Sequence, residues 1–112
     1  MTRTILGAAL AATAAALAMT AQAQGDVKGD PERAKQKISM CAGCHGIPDY
    51  RTAFPEVYSV PMIAGQNPAY IVKALEAYRS GERNHPSMRA IAATLSGQDM
   101  ADLAIYYGTV AK

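Results

Sequence analysis

Beyond an apolar opening stretch, the hydrophobic positions of this chain recur at helical spacing and nowhere alternate with period two over a useful length. Asp30-Pro31-Glu32 combines an N-cap, a proline suited to the first helical position and a first-turn acid. Ala34, Ile38 and Cys41 or Ala42 follow on one face, with Lys35 and Lys37 on the other, which predicts a helix from Pro31 that ends near the cysteines. Asn67-Pro68 repeats the starting signal. Tyr70, Ile71, Ala74, Leu75 and Tyr78 then mark one face up to Ser80-Gly81, where the glycine predicts the stop. A short helix is expected over Ser87 to Leu95. Ser96-Gly97-Gln98-Asp99, close to a capping box, predicts a last helix that turns Met100, Leu103, Ala104, Tyr107 and Val110 inward. Between the first two helices, Pro48, Pro55 and Pro61 are set among Tyr50, Phe54 and Tyr58. Proline there suits neither a helix nor a central strand, so an irregular loop packed over something apolar is predicted. The expected class is all-α.

The opening stretch changes where the domain begins. Arg3, an apolar run from Ile5 to Met19 and the small-x-small ending Ala21-Gln22-Ala23 read as a secretory signal peptide over residues 1–23. Thr4, Thr13 and Thr20 weaken the rival reading of a membrane anchor. Residues 24–112 remain as one domain, exported to an oxidising compartment. Eleven Lys and Arg against nine Asp and Glu make no electrostatic footprint for nucleic acid, and 112 residues exclude a multidomain enzyme. With one Phe and no Trp the chain has few large groups for a core, so something else is expected to fill its centre.

Cys41-Ala42-Gly43-Cys44-His45 supplies the chemistry. Cys-x-x-Cys-His is the attachment pattern of c-type haem: each thiol bonds one vinyl-derived carbon of a porphyrin, and the next His is held beneath the iron. A structural zinc site needs four protein ligands, and the chain has two Cys and two His, with His85 forty residues beyond His45. A thioredoxin-like dithiol needs a strand leading into the motif, and a disulfide would close too small a loop to constrain the unfolded chain much. Haem c also provides the missing apolar body.

The second axial ligand separates an electron carrier from a protein that binds small molecules at iron. Met88 is the better-placed candidate, 43 residues after His45 and beyond a complete helix, in His85-Pro86-Ser87-Met88. Met62 reads better as a hydrophobe at the haem edge, and His85 as an exposed histidine, though either could ligate. Met40 adjoins the first cysteine and Met100 lies on a helical core stripe.

Taken in order, Cys41 to Gly46, Pro61 to Gln66, Ala77 to Arg83, Met88 with Ile91 to Ser96, and Ala101 to Tyr107 resemble a small class I cytochrome c, similar to the bacterial cytochrome c4 and c553 group. The resemblance implies four to five short helices around one covalent haem, with the terminal helices crossing nearby. It implies Cys41 and Cys44 as thioether attachments and His45 and Met88 as axial ligands, with the Pro61 carbonyl accepting the His45 ring N–H. Cytochromes c4 carry two such domains, whereas this chain has one motif. The expected function is non-enzymatic: a periplasmic carrier of single electrons between redox proteins, or the small electron-accepting subunit of a dehydrogenase. The alternative is an open-site haem protein, a gas sensor or weak peroxidase, in which Met88 is labile. Tyr50, Phe54, Tyr58 and Tyr70 are expected to cover the porphyrin edge, and Arg51, Arg79, Arg83 and Arg89 to be mostly solvated.

Overall fold

Asp30 starts the first helix as expected: its carboxylate accepts the Glu32 N–H at 2.8 Å, and Pro31 at the next position has no N–H to satisfy. In this computed structural model, which describes residues 27–54 and 56–110, α1 spans Pro31–Ala34 and α2 spans Ser39–His45. The predicted leader lies outside the described residues, as does the side chain of Val110.

The single helix expected from Pro31 is therefore two pieces, joined by a tighter turn. Lys37 N–H donates to the Ala34 carbonyl at 2.8 Å and Cys41 N–H to that of Ile38 at 3.0 Å, both three residues back. Ile38 and Cys41, three positions apart and so on one helical face, both pack against the core. The cysteines lie in α2, which ends beside them as expected, and Gly46 closes it.

The proline-bearing segment departs further from expectation. Arg51–Thr52 (β1) and Tyr58–Ser59 (β2) pair antiparallel, with Thr52 opposite Tyr58. Thr52 Oγ1 accepts the Tyr58 N–H at 3.2 Å and donates to the Glu56 carbonyl at 3.3 Å, closing the hairpin through a side chain. Pro48 and Pro61 lie outside the ladder, where a missing N–H costs nothing, and each strand is only two residues long. The class remains all-α.

Three helices follow: α3 (Pro68–Ser80), α4 (Pro86–Ala93) and α5 (Gly97–Ile105), which runs into a π-helical turn, Tyr106–Val110. Asn67 caps α3 through Oδ1, and Gly81 ends it at φ 85°, a left-handed conformation that glycine adopts without steric cost. Ser96 and Asp99 cap α5 reciprocally. Ala34, Ile71, Leu75, Ala92, Leu95, Met100, Leu103, Ala104 and Tyr107 form the core: the predicted inner face of α5 is buried, whereas on that of α3 Ile71 and Leu75 are buried and Tyr70 is half exposed. Met100 and Leu103 are its largest fully buried side chains, each worth about 2 kcal/mol of burial.

The Gly29 segment and α1 cross α5 tightly beside this core. At Gly29 a side-chain methyl would overlap the Ala101 carbonyl, so only glycine lets the N-terminal segment lie on α5. Asp102 on α5 is buried at 4% exposure. Its carboxylate accepts the Asp30 N–H at 2.7 Å, Arg33 Nε and Nη2 at 2.8 Å each, and Gln98 Nε2 at 2.9 Å. The Arg33 hydrogen bonds lead in holding the Asp102 carboxyl down to about 2, against the opposing effect of burial. No helix among the described residues is long and apolar enough to cross a membrane.

Candidate haem site

A cavity of about 500 Å³ is bounded by the end of α2, the hairpin, residues 60–66, α3 and the start of α4. Ile71 and Leu75 serve both the core and its wall. Cys44, His45 and Met88 all line it, as does Met62. Segments 43 residues apart thus meet around one space.

His45 is oriented from behind. Its Nδ1 lies 2.6 Å from the Pro61 carbonyl oxygen, the contact that the resemblance implied. A carbonyl can only accept, so Nδ1 carries the proton and Nε2 keeps its lone pair for a metal. Proline at 61 suits this role because it stiffens the segment that presents the carbonyl.

Cys41 is placed differently. It sits one turn before Cys44, half-buried against the core with Tyr107, and does not line the cavity. Burial pushes its thiol upward, with the Tyr107 hydroxyl acting the other way.

Met88 reaches the cavity from the first turn of α4, a helix that begins one residue earlier than the sequence suggested. Its N-cap is His85, extended at φ −146° and ψ 114°, whose Nδ1 accepts the Met88 N–H at 3.3 Å. His85 is thus half-buried and engaged rather than free, and its ring lies against Tyr58 with centroids 4.2 Å apart. The signal was present: Asp30-Pro31, Asn67-Pro68 and His85-Pro86 are all cap-proline pairs, but histidine is not a habitual cap.

The aromatic residues divide. Tyr58 and Tyr70 line the cavity, whereas Phe54, expected to cover its edge, is 86% exposed in the hairpin connection. Two-residue strands carry the chain out past the cavity wall before it turns, which leaves Phe54 nothing to pack on. Arg83 is more engaged than a solvated charge: its Nη2 donates to the Tyr70 hydroxyl at 3.2 Å, and the guanidinium lies 5.1 Å from the centre of the Tyr78 ring.

These residues fit a haem. The Cys44 thiol, the His45 imidazole nitrogen and the Met88 thioether sulfur stand around a largely apolar space, and Cys41 sits one turn before Cys44 in the same helix. Among the described residues no three His, Cys, Asp or Glu side chains gather into a metal cluster, as a protein-only zinc site would require.

No family model matches the chain. It is 36% identical over 84 residues to cytochrome c-554(548) of Halomonas halodenitrificans, a match that takes in 72% of this chain and 96% of that protein. The chain is a class I c-type cytochrome. It is also 37% identical over 92 residues to cytochrome c4 of Thiocapsa roseopersicina, covering 81% of this chain and 45% of that one. A third relative, 37% identical over 85 residues, is the thiosulfate dehydrogenase electron acceptor of Stutzerimonas stutzeri, with 75% and 38% covered. The chain spans nearly all of the first relative and less than half of the other two. This cytochrome is an electron-transfer protein with haem c as its cofactor, and not an enzyme.

Proposed function

We propose that residues 1–23 are a cleaved export signal and residues 24–112 a periplasmic monohaem domain that carries single electrons. Cys41 and Cys44 hold the haem by two thioethers, and His45 and Met88 are its axial ligands. The observation that carries this reading is the convergence of Cys44, His45 and Met88 on one cavity, with His45 Nδ1 already occupied by the Pro61 carbonyl at 2.6 Å. A haem bound there supplies an iron that gains and loses one electron, its potential raised by a Met ligand. The chain's own part is to hold the imidazole in one tautomer, present a sulfur opposite it, and exclude water with apolar walls.

Of the side chains an open-site protein could use, His85, Arg83 and Arg89, two are engaged: Arg83 on the Tyr70 hydroxyl and His85 on the Met88 amide. This favours the carrier over the sensor or peroxidase. Likeness to an electron acceptor of thiosulfate dehydrogenase supports a dehydrogenase as the donor, met through a small transient interface.

The test is the ferric absorption spectrum of the full chain, expressed with its leader in a host that attaches haem c. A far-red sulfur-to-iron band is expected in wild type, in Met62→Ala and not in Met88→Ala, which should also have a lower potential and bind carbon monoxide readily when reduced. A band that survives Met88→Ala would sink the assignment.

A further inference from the structure

We propose that His85 is the positioning residue that aims Met88 into the cavity, an inference that rests on Met88 being the axial ligand. Pro86 has no N–H, so the first turn of α4 offers two free amides, Ser87 and Met88. His85 Nδ1 takes the second at 3.3 Å. That contact fixes the proton on Nε2 and ties the Met88 backbone to the residue that begins the helix.

A cap alone would not call for histidine, since Asp30, Asn67 and Ser96 cap the neighbouring helices with smaller groups. The imidazole adds a face. It rests on Tyr58, tilted by 51°, and Tyr58 is itself held by Thr52 through its N–H and by Glu56 through its hydroxyl. His85 therefore joins the hairpin on one side to the Met88 amide on the other, across the cavity rim that all three residues line. Without it, the first turn of α4 loses both its cap and its lateral support, and the sulfur is held less firmly.

The readouts are the far-red band and the affinity of the ferric protein for added imidazole, measured on full-chain, haem-loaded wild type, His85→Ala, His85→Asn and Met88→Ala. His85→Ala should weaken the band and raise imidazole affinity about fivefold, the scale of losing one N-cap. His85→Asn, which keeps a capping oxygen without the ring, should recover most of both. Loss of the band in both His85 variants alike would overturn the capping role, as would wild-type behaviour of His85→Ala. A wild-type spectrum without the band, or one that Met88→Ala leaves unchanged, would instead remove the ligand assignment beneath it. Should His85→Ala fail to fold, His85→Ser against His85→Val makes the same comparison between a capping and a non-capping side chain.

Discussion

The crossing of α1 with α5 and the rim of the cavity are built on opposite plans. At the crossing, a buried carboxylate has four hydrogen-bonding partners, a glycine allows backbone to touch backbone, and α5 opens on a reciprocal cap. Lys37 adds a 3.0 Å ion pair to Asp99. At the rim, two strands of two residues carry a connection whose Phe54 and Val57 stand exposed, and Met62 is half open to solvent. The fold is secured where no chemistry happens. The site is left to be held by single contacts, His45 to Pro61 and Met88 to His85.

Breaking the crossing should have the largest effect. Asp102→Ala leaves the Asp30 amide and the half-exposed Arg33 guanidinium without their acceptor and should cost about 2.5 kcal/mol in denaturant unfolding. The same carboxylate sets an acid limit. Its folded-state value, about 2, is below that of the unfolded chain, so the unfolded state binds more protons as pH falls. Its contribution is whole above about pH 4 and fades as pH falls toward 2. Asp99, lowered by its Ser96 hydrogen bonds and Lys37, acts in the same direction. An acid titration of stability should therefore be shallower in Asp102→Asn than in wild type; equal slopes would remove Asp102 as its source.

Gly29→Ala comes next. The methyl meets the Ala101 carbonyl, and separating the two segments should cost roughly 2 kcal/mol, read as a lower Tm with the haem spectrum unchanged. Ser96→Ala removes one cap of α5 and should cost about 1 kcal/mol. The smallest effect is expected at the rim: Phe54→Ser should change stability by less than about 0.5 kcal/mol and leave the far-red band intact, because the ring touches little. A loss comparable to that of Gly29→Ala would mean that the hairpin connection supports the fold as much as the α1–α5 crossing does.

Much of the helical framework was legible because its signals are local. Asp30, Asn67 and Ser96 cap the helices they were expected to cap, and Gly81 stops α3. The site was legible at Cys44, His45 and Met88, which do share a cavity. The exposed Phe54 and the hairpin were not. Aromatic residues between prolines look like cover for an apolar body, and nothing in the sequence says that the chain turns back on itself before Phe54 can pack. Asp102 was hidden for a related reason, since its partner Arg33 is 69 residues away.

The residues taken alone determined what depends on neighbours within a turn: where most helices start and stop, which faces are apolar, and that two thiols and an imidazole fall within five residues. Only the tertiary structure decided how α1 locks onto α5 through Asp102, that Cys41 turns toward the core while Cys44 lines the cavity, and that His85 links Tyr58 to Met88. Those contacts join segments far apart in sequence. Their partners are selected by how helices of fixed face pack against one another, which no local pattern specifies.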